Sequence, residues 1–178
     1  MLFSIFMLSI TNQQNSDMLL DSSMMNTEKK WRIVNDGVMG GLSTSEIILD
    51  NDKIVFNGNV SLENNGGFAS LRSPVKNYNF EKFNGIEIRI NGKGKIFSIS
   101  MKETSYFTGY FFTKSFKTNK DEWTTIQIPF SEFSLKYFGR ELESDKKIPL
   151  DKIKEISLLI GEKQKGKFSA EIDYIKLY

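Results

Sequence analysis

From residue 18 onward, apolar and polar positions alternate along most of the chain, the pattern of strands that bury one face. Ile86, Ile88 and Ile90 alternate with Glu87 and Arg89, and Phe97, Ile99 and Met101 with Ser98 and Ser100. In the next segment Tyr110, Phe112, Lys114 and Phe116 share one face, while Phe111, Thr113 and Ser115 share the other. Trp123 to Phe130 continues the pattern, with Ile126 and Ile128 on one side and Pro129 marking the end of the strand. Phe168, Ala170 and Ile172 alternate with Ser169, Glu171 and Asp173. Ile54-Val55-Phe56 with Val60 and Leu62 reads as a further segment, and Glu155 to Ile160 as the continuous apolar run of a central strand.

Turn signals punctuate these segments at Asn57-Gly58-Asn59, Asn64-Asn65-Gly66-Gly67, Asn84-Gly85, Asn91-Gly92-Lys93-Gly94 and Lys165-Gly166. Helical signals are few: Ser131-Glu132-Phe133 and Pro149 to Ile153 each predict at most one turn. Many short strands separated by Gly and Asn predict an all-β sandwich or jelly roll. Neither a repeat nor a low-complexity linker interrupts the chain, so one domain is expected over residues 18–178, with residues 1–17 a terminal segment.

Composition narrows the chemistry. The sequence has 178 residues and contains neither Cys nor His. Thiolate nucleophiles, Ser-His-Asp triads and imidazole or thiolate metal sites are thereby excluded from it. Carboxylate pairs, Lys or Tyr chemistry and oxygen-ligated cations remain. No run of oxygen ligands is dense enough to predict a metal, and no cofactor is expected. A net charge of +2 with Lys interspersed among Glu and Asp gives nucleic-acid binding no electrostatic support. The 15 Phe suit half-buried pleated surfaces.

Met1 to Ile10 is an apolar run too short to cross a bilayer. It has the apolar character of a secretory signal, but no basic residue precedes Lys29. Cytoplasmic residence and export therefore stand on an equal footing. No other segment is apolar and long enough to span a membrane.

Three segments carry candidate binding chemistry, each beside a plainer structural reading. In Asn35-Asp36-Gly37-Val38-Met39-Gly40-Gly41-Leu42-Ser43 the glycines predict positive φ and close packing. The loop either presents Asp36 or Met39 to a partner or forms a tight crossover, and the residues alone favour the crossover. Val60 to Arg72 reads as strand, hairpin turn and strand, with Asn64 and Arg72 offering an amide and a guanidinium fork to a polar ligand. The structural alternative pairs Arg72 with a carboxylate such as Glu63. In Tyr106-Phe107-Thr108-Gly109-Tyr110-Phe111-Phe112, the loop residues Tyr106 and Phe107, with Tyr110, predict a flat platform for a sugar ring or an apolar side chain. Phe111 and Phe112 are the expected core rings. Arg140 is a candidate anion contact or surface ion pair, and Asp173 a partner for an Arg. Glu103 and Asp173 are the carboxylates an enzyme would use, but no glycosidase spacing supports the pair.

The order of these elements resembles the complex I intermediate-associated family. The matching residues are Trp31 with Asn35 to Ser43, including Gly37, Gly40 and Gly41. Phe56 to Arg72 follows, with Gly66, Gly67 and Phe68. Then come Trp123 with Ile128-Pro129-Phe130, Gly139-Arg140, Ile156 to Gly161, and Phe168 to Asp173. The resemblance implies a galactose-binding-like jelly roll, similar to certain carbohydrate-binding modules. It also implies an assembly or chaperone-like role by contact with a protein partner, without catalysis; a carbohydrate ligand is the alternative. The first 28 residues contain no basic residue, unlike a mitochondrial presequence, and the Asn-, Lys- and Ile-rich make-up is similar to that of small bacterial relatives.

Overall fold

The computed structural model describes residues 17–26 and 31–178; the apolar run Met1 to Ile10 lies outside the described residues. The alternating segments are strands. In chain order they are β1 (Met18–Asp21), β2 (Arg32–Asn35), β3 (Thr44–Asp50), β4 (Lys53–Val60), β5 (Ala69–Arg72), β6 (Gly85–Asn91) and β7 (Ile96–Lys102). They continue with β8 (Tyr110–Lys117), β9 (Thr124–Pro129), β10 (Ser134–Tyr137), β11 (Arg140–Glu141), β12 (Glu155–Ile160) and β13 (Gly166–Leu177).

Two antiparallel sheets face each other. One runs β3-β4-β13-β6-β9, with β1 also paired to β13; the other runs β11-β10-β8-β7-β12-β5-β2. Ile54, Phe56, Ile86, Ile88, Ile90, Ala170 and Ile172 line the inner face of the first sheet, all at 0 % exposure. Leu71, Phe97, Ile99, Met101, Ile156, Leu158 and Ile160 answer them from the second, also at 0 %. Each of these Ile, Leu, Phe and Met side chains contributes about 1.5–3 kcal/mol of burial free energy, which favours closing the two sheets face to face. The fold is a jelly-roll β-sandwich of the galactose-binding-like type, as the alternation and the family resemblance predict.

Three details depart from the sequence reading. Asn57-Gly58-Asn59 is no turn but the interior of β4, where Gly58 pairs with Ser45 and Phe168. A β-carbon on Gly58 would come within 2.1 Å of the Thr44 carbonyl oxygen, so the glycine is there for a close strand approach. The segment Val60 to Arg72 is not a hairpin: β4 belongs to the first sheet and β5 to the second. Asn64 (φ 54°) and Asn65 (φ 58°) turn the chain between sheets, not back onto its own strand. Strand β4 accordingly ends at Val60, leaving Leu62 exposed outside it.

In β13 the register shifts between Ile172 and Tyr174, which moves the buried positions from Ala170 and Ile172 to Ile175 and Leu177. The extra residue at this bulge is Asp173. It pairs with Arg89 at 3.1 Å on the exposed face. Where the sequence predicts single turns at Ser131 to Phe133 and Pro149 to Ile153, turns span 130–133 and 149–152, closed by bonds from the Phe133 N–H to the Phe130 carbonyl and from the Lys152 N–H to the Pro149 carbonyl.

Candidate functional site

The Asn35 to Ser43 segment turns on Asp36, which is 1 % exposed. Its carboxylate accepts hydrogen bonds from the Ser43 N–H (2.9 Å), the Ser43 hydroxyl, the Gly67 N–H (2.6 Å) and the Phe68 N–H (3.2 Å). Burial by itself would raise the Asp36 pKa. The Ser43 hydroxyl and the N–H groups of Gly67, Ser43 and Phe68 outweigh it and hold the carboxyl below its ordinary range. Asp36 therefore ties the glycine turn to the Asn64–Phe68 crossover and presents no free oxygen to a partner. Gly41 and Gly66 press on it directly, and Gly40 (φ 89°) closes the turn, whereas Gly37 faces open space. Met39 does reach the surface, at 55 % exposure, beside Val38 at 74 % and Leu42 at 53 %.

Trp31 is buried and donates its indole N–H to the Leu19 carbonyl at 3.0 Å. Trp123 is half-buried beneath Lys53 and Arg89, which lie 4.9 and 5.5 Å from its ring.

A different surface gathers at the start of β8. Tyr106 and Phe107 are 69 % and 56 % exposed, with Tyr110 at 47 %, Tyr137 at 40 % and Phe138 at 51 %. Register places Tyr110 opposite Tyr137, and Tyr137 opposite Arg140. Tyr110 and Tyr137 have ring centroids 4.6 Å apart, Tyr137 and Phe138 4.7 Å, and Phe107 and Phe138 5.5 Å. The loop is locked to the β10–β11 turn by the Phe138 N–H, which donates to the Gly109 carbonyl at 2.9 Å. Gly109 (φ 80°) is required there, since a β-carbon would meet the Phe138 ring at 2.5 Å. Beside the rings opens a cavity of about 380 Å³, floored by Phe112 and Leu135 and rimmed by Thr108, Tyr110 and the Glu103–Lys146 ion pair.

The structure thus brings Phe107 and Arg140 together with Tyr110, while Tyr106 stands in the same loop. Phe111, expected in the core, is half-buried and points outward, opposite Lys136; Phe112 is the core ring. Asp36, Met39 and Asn64 lie at the other end of the sheet. Asn35 pairs with Ala69, Ala69 with Ile160, Ile160 with Phe97, and Phe97 with Phe116 at the far end of β8. Arg72 pairs not with Glu63 but with Glu155. Glu103 and Asp173 are not brought together: Glu103, just past β7 of one sheet, pairs with Lys146, and Asp173 pairs with Arg89 on the other sheet. Sequence reasoning missed Tyr137 and Phe138. Their only signal was an aromatic pair before Gly139, about thirty residues from Tyr106.

Among the described residues no group of three or more acidic side chains could hold a metal ion, and no helix is long and apolar enough to cross a membrane. The two-sheet architecture defines the class: a jelly-roll β-sandwich, the fold also seen in carbohydrate-binding modules. The family 11 carbohydrate-binding module of cellulosomal cellulase Lic26A-Cel5E from Clostridium thermocellum superposes with a TM-score of 0.66 at 18 % identity, covering 90 % of this chain and 93 % of that one. The agarase AgWH50C matches with a TM-score of 0.61 at 10 % identity, over 90 % of this chain and 24 % of the agarase. These likenesses concern fold alone.

Within that class the family is specific. Residues 20–172 match the model for Complex I intermediate-associated protein 30 (CIA30), and the chain belongs to that family. The mouse mitochondrial Complex I intermediate-associated protein 30 is 26 % identical over 84 % of this chain and 52 % of its own length. The Drosophila melanogaster protein is 23 % identical over 91 % of this chain and 62 % of its own. The chain spans about half to three-fifths of the length of these relatives.

Proposed function

We propose that this chain is a non-catalytic binding domain that assists the assembly of a multisubunit respiratory complex by direct protein contact. The surface it uses is the ring cluster of Phe107, Tyr110, Tyr137 and Phe138 with Tyr106. The observation that carries the reading is that five aromatic side chains remain exposed by at least 40 % on a framework belonging to an assembly-associated family. Rings already packed on one another are pre-ordered, so a partner gains their contact area at little entropic cost. A tagged chain should comigrate with a partly built complex I on native gels, and its deletion should lower the amount of mature complex. Normal complex I in the deletion strain, with no comigration, would remove this reading.

Carbohydrate binding is the second reading, favoured by exposed Tyr106 and Phe107 beside the polar cavity rim of Thr108 and Glu103. Calorimetric titration against a glycan panel tests it, and unaltered sugar binding by a Tyr106→Ala variant would remove Tyr106 from the platform.

A further inference from the structure

The outward face of the seven-stranded sheet carries a charge imbalance, which meets the cavity beside the aromatic rings at Lys102. Glu155 opens β12 and is 2 % exposed. Three cations from three other strands converge on it: Arg32 of β2, Arg72 of β5 at 3.6 Å and Lys102 of β7 at 3.1 Å. Arg32 and Arg72 pair in register, and Lys102 lies opposite Glu155. The side chains of Arg72 and Lys102 are only 12 % and 8 % exposed, whereas that of Arg32 is 45 % exposed.

One carboxylate would suffice to hold one buried cation. Among the described residues, three cations around it leave two positive charges uncompensated in a partly desolvated place, an arrangement that costs free energy unless a further anion completes it. Burial lowers the pKa of Arg72, with Glu155 opposing and Arg32 reinforcing the shift. The remaining contacts among the described residues are to neutral groups. Arg32 also donates to the Ser73 carbonyl at 2.8 Å, and the Arg72 Nε–H to the Ser70 hydroxyl at 3.0 Å. The Arg32 guanidinium, 45 % exposed, is open to an incoming acceptor. Across the sheet the same row continues from Arg72 through Ser157, Ser100 and Thr113 to Ser134, all neutral hydroxyls that add no negative charge.

We infer that Arg32, Arg72 and Lys102, held by Glu155, form a binding site for an oxyanion, a carboxylate or a phosphate, which enters from the exposed Arg32 side. The two forks supply paired N–H donors matched to oxyanion geometry, and the ammonium adds a point charge. Glu155 is the internal counter-ion that keeps the cluster folded while the site is empty.

Titration of the full chain at constant ionic strength tests this, with inorganic phosphate and D-glucuronate as probes and D-glucose as the uncharged control. Saturable binding of phosphate, glucuronate or both is expected, and none of glucose. Response to phosphate alone or to glucuronate alone separates a free phosphate from a sugar carboxylate as the source. Arg32→Gln, at an exposed position, should weaken binding by about tenfold or more, the loss of a charged hydrogen-bond donor. Lys102→Met retains the stem and should weaken it similarly. Glu155→Gln removes the competing carboxylate and should tighten it. Overturning results are the absence of saturable anion binding, equal binding by Arg32→Gln, or weaker binding by a folded Glu155→Gln.

Discussion

Gly41 sits where a β-carbon would come within 2.4 Å of the Asp36 carboxylate. A β-carbon on Gly66, in the crossover, would likewise come within 2.7 Å of Asp36 Oδ2. The two glycines belong to separate sequence elements, and one buried acid explains both. Asp36→Ala would strand the N–H groups of Ser43, Gly67 and Phe68, so a loss of about 3–5 kcal/mol is expected in urea unfolding. Gly41→Ala should also destabilise, by about 1–3 kcal/mol, because the acid must move. Gly37→Ala, which faces open space, should change stability by no more than about 0.5 kcal/mol.

Stability should fall on both sides of neutrality. The pKa of Asp36 is depressed from 3.8, and that of Glu87 from 4.5 through hydrogen bonds from Gln127, Lys176 and Tyr174 that outweigh burial. A depressed carboxyl binds protons later in the folded chain than in the unfolded one. Its stabilisation is present above the ordinary value and lost as pH falls through the folded value. Tyr174 is raised from 10.0 by burial and by Glu87, and Lys176 from 10.5 by its hydrogen bond to Glu87. Their contribution is complete below those ordinary values and lost as pH rises through the folded ones. Thermal melts across pH should show a plateau between these limits, and Asp36→Asn should flatten the acid limb.

Replacing Glu155 by Leu leaves Arg72 and Lys102 buried without a counter-ion. A loss of about 3–5 kcal/mol is expected, and chemical denaturation measures it. Adding Lys102→Met to that variant should recover part of the loss, because one stranded charge disappears; a double-mutant cycle reads the coupling.

Tyr106→Ala and Phe107→Ala truncate exposed rings and should cost little stability, about 1 kcal/mol or less. If the aromatic cluster is the contact surface, each should weaken partner binding by about 2 kcal/mol or more, measurable by comigration or titration. Gly109→Ala, by contrast, should lower both stability and binding, since φ of 80° and contact with Phe138 leave no room for a methyl group.

Periodicity carried the fold. The alternation at Ile86 to Ile90 and Phe97 to Met101 dictates which side chains are buried, and burial of that face follows from the hydrophobic effect whatever strand lies alongside. The order of the glycine elements likewise placed the chain in its family, whereas the β13 bulge at Asp173 came only from the structure. Pairing was another matter. Alternation says which face is inward but not which strand is the neighbour, because ladder hydrogen bonds join backbone groups that all residues share. Only the tertiary structure therefore sent β4 and β5 to opposite sheets and turned Asp36 inward onto Gly67, 31 residues away. By the same pairing Tyr137 and Phe138 came beside Tyr110 and Phe107, and three cations from three strands gathered around Glu155.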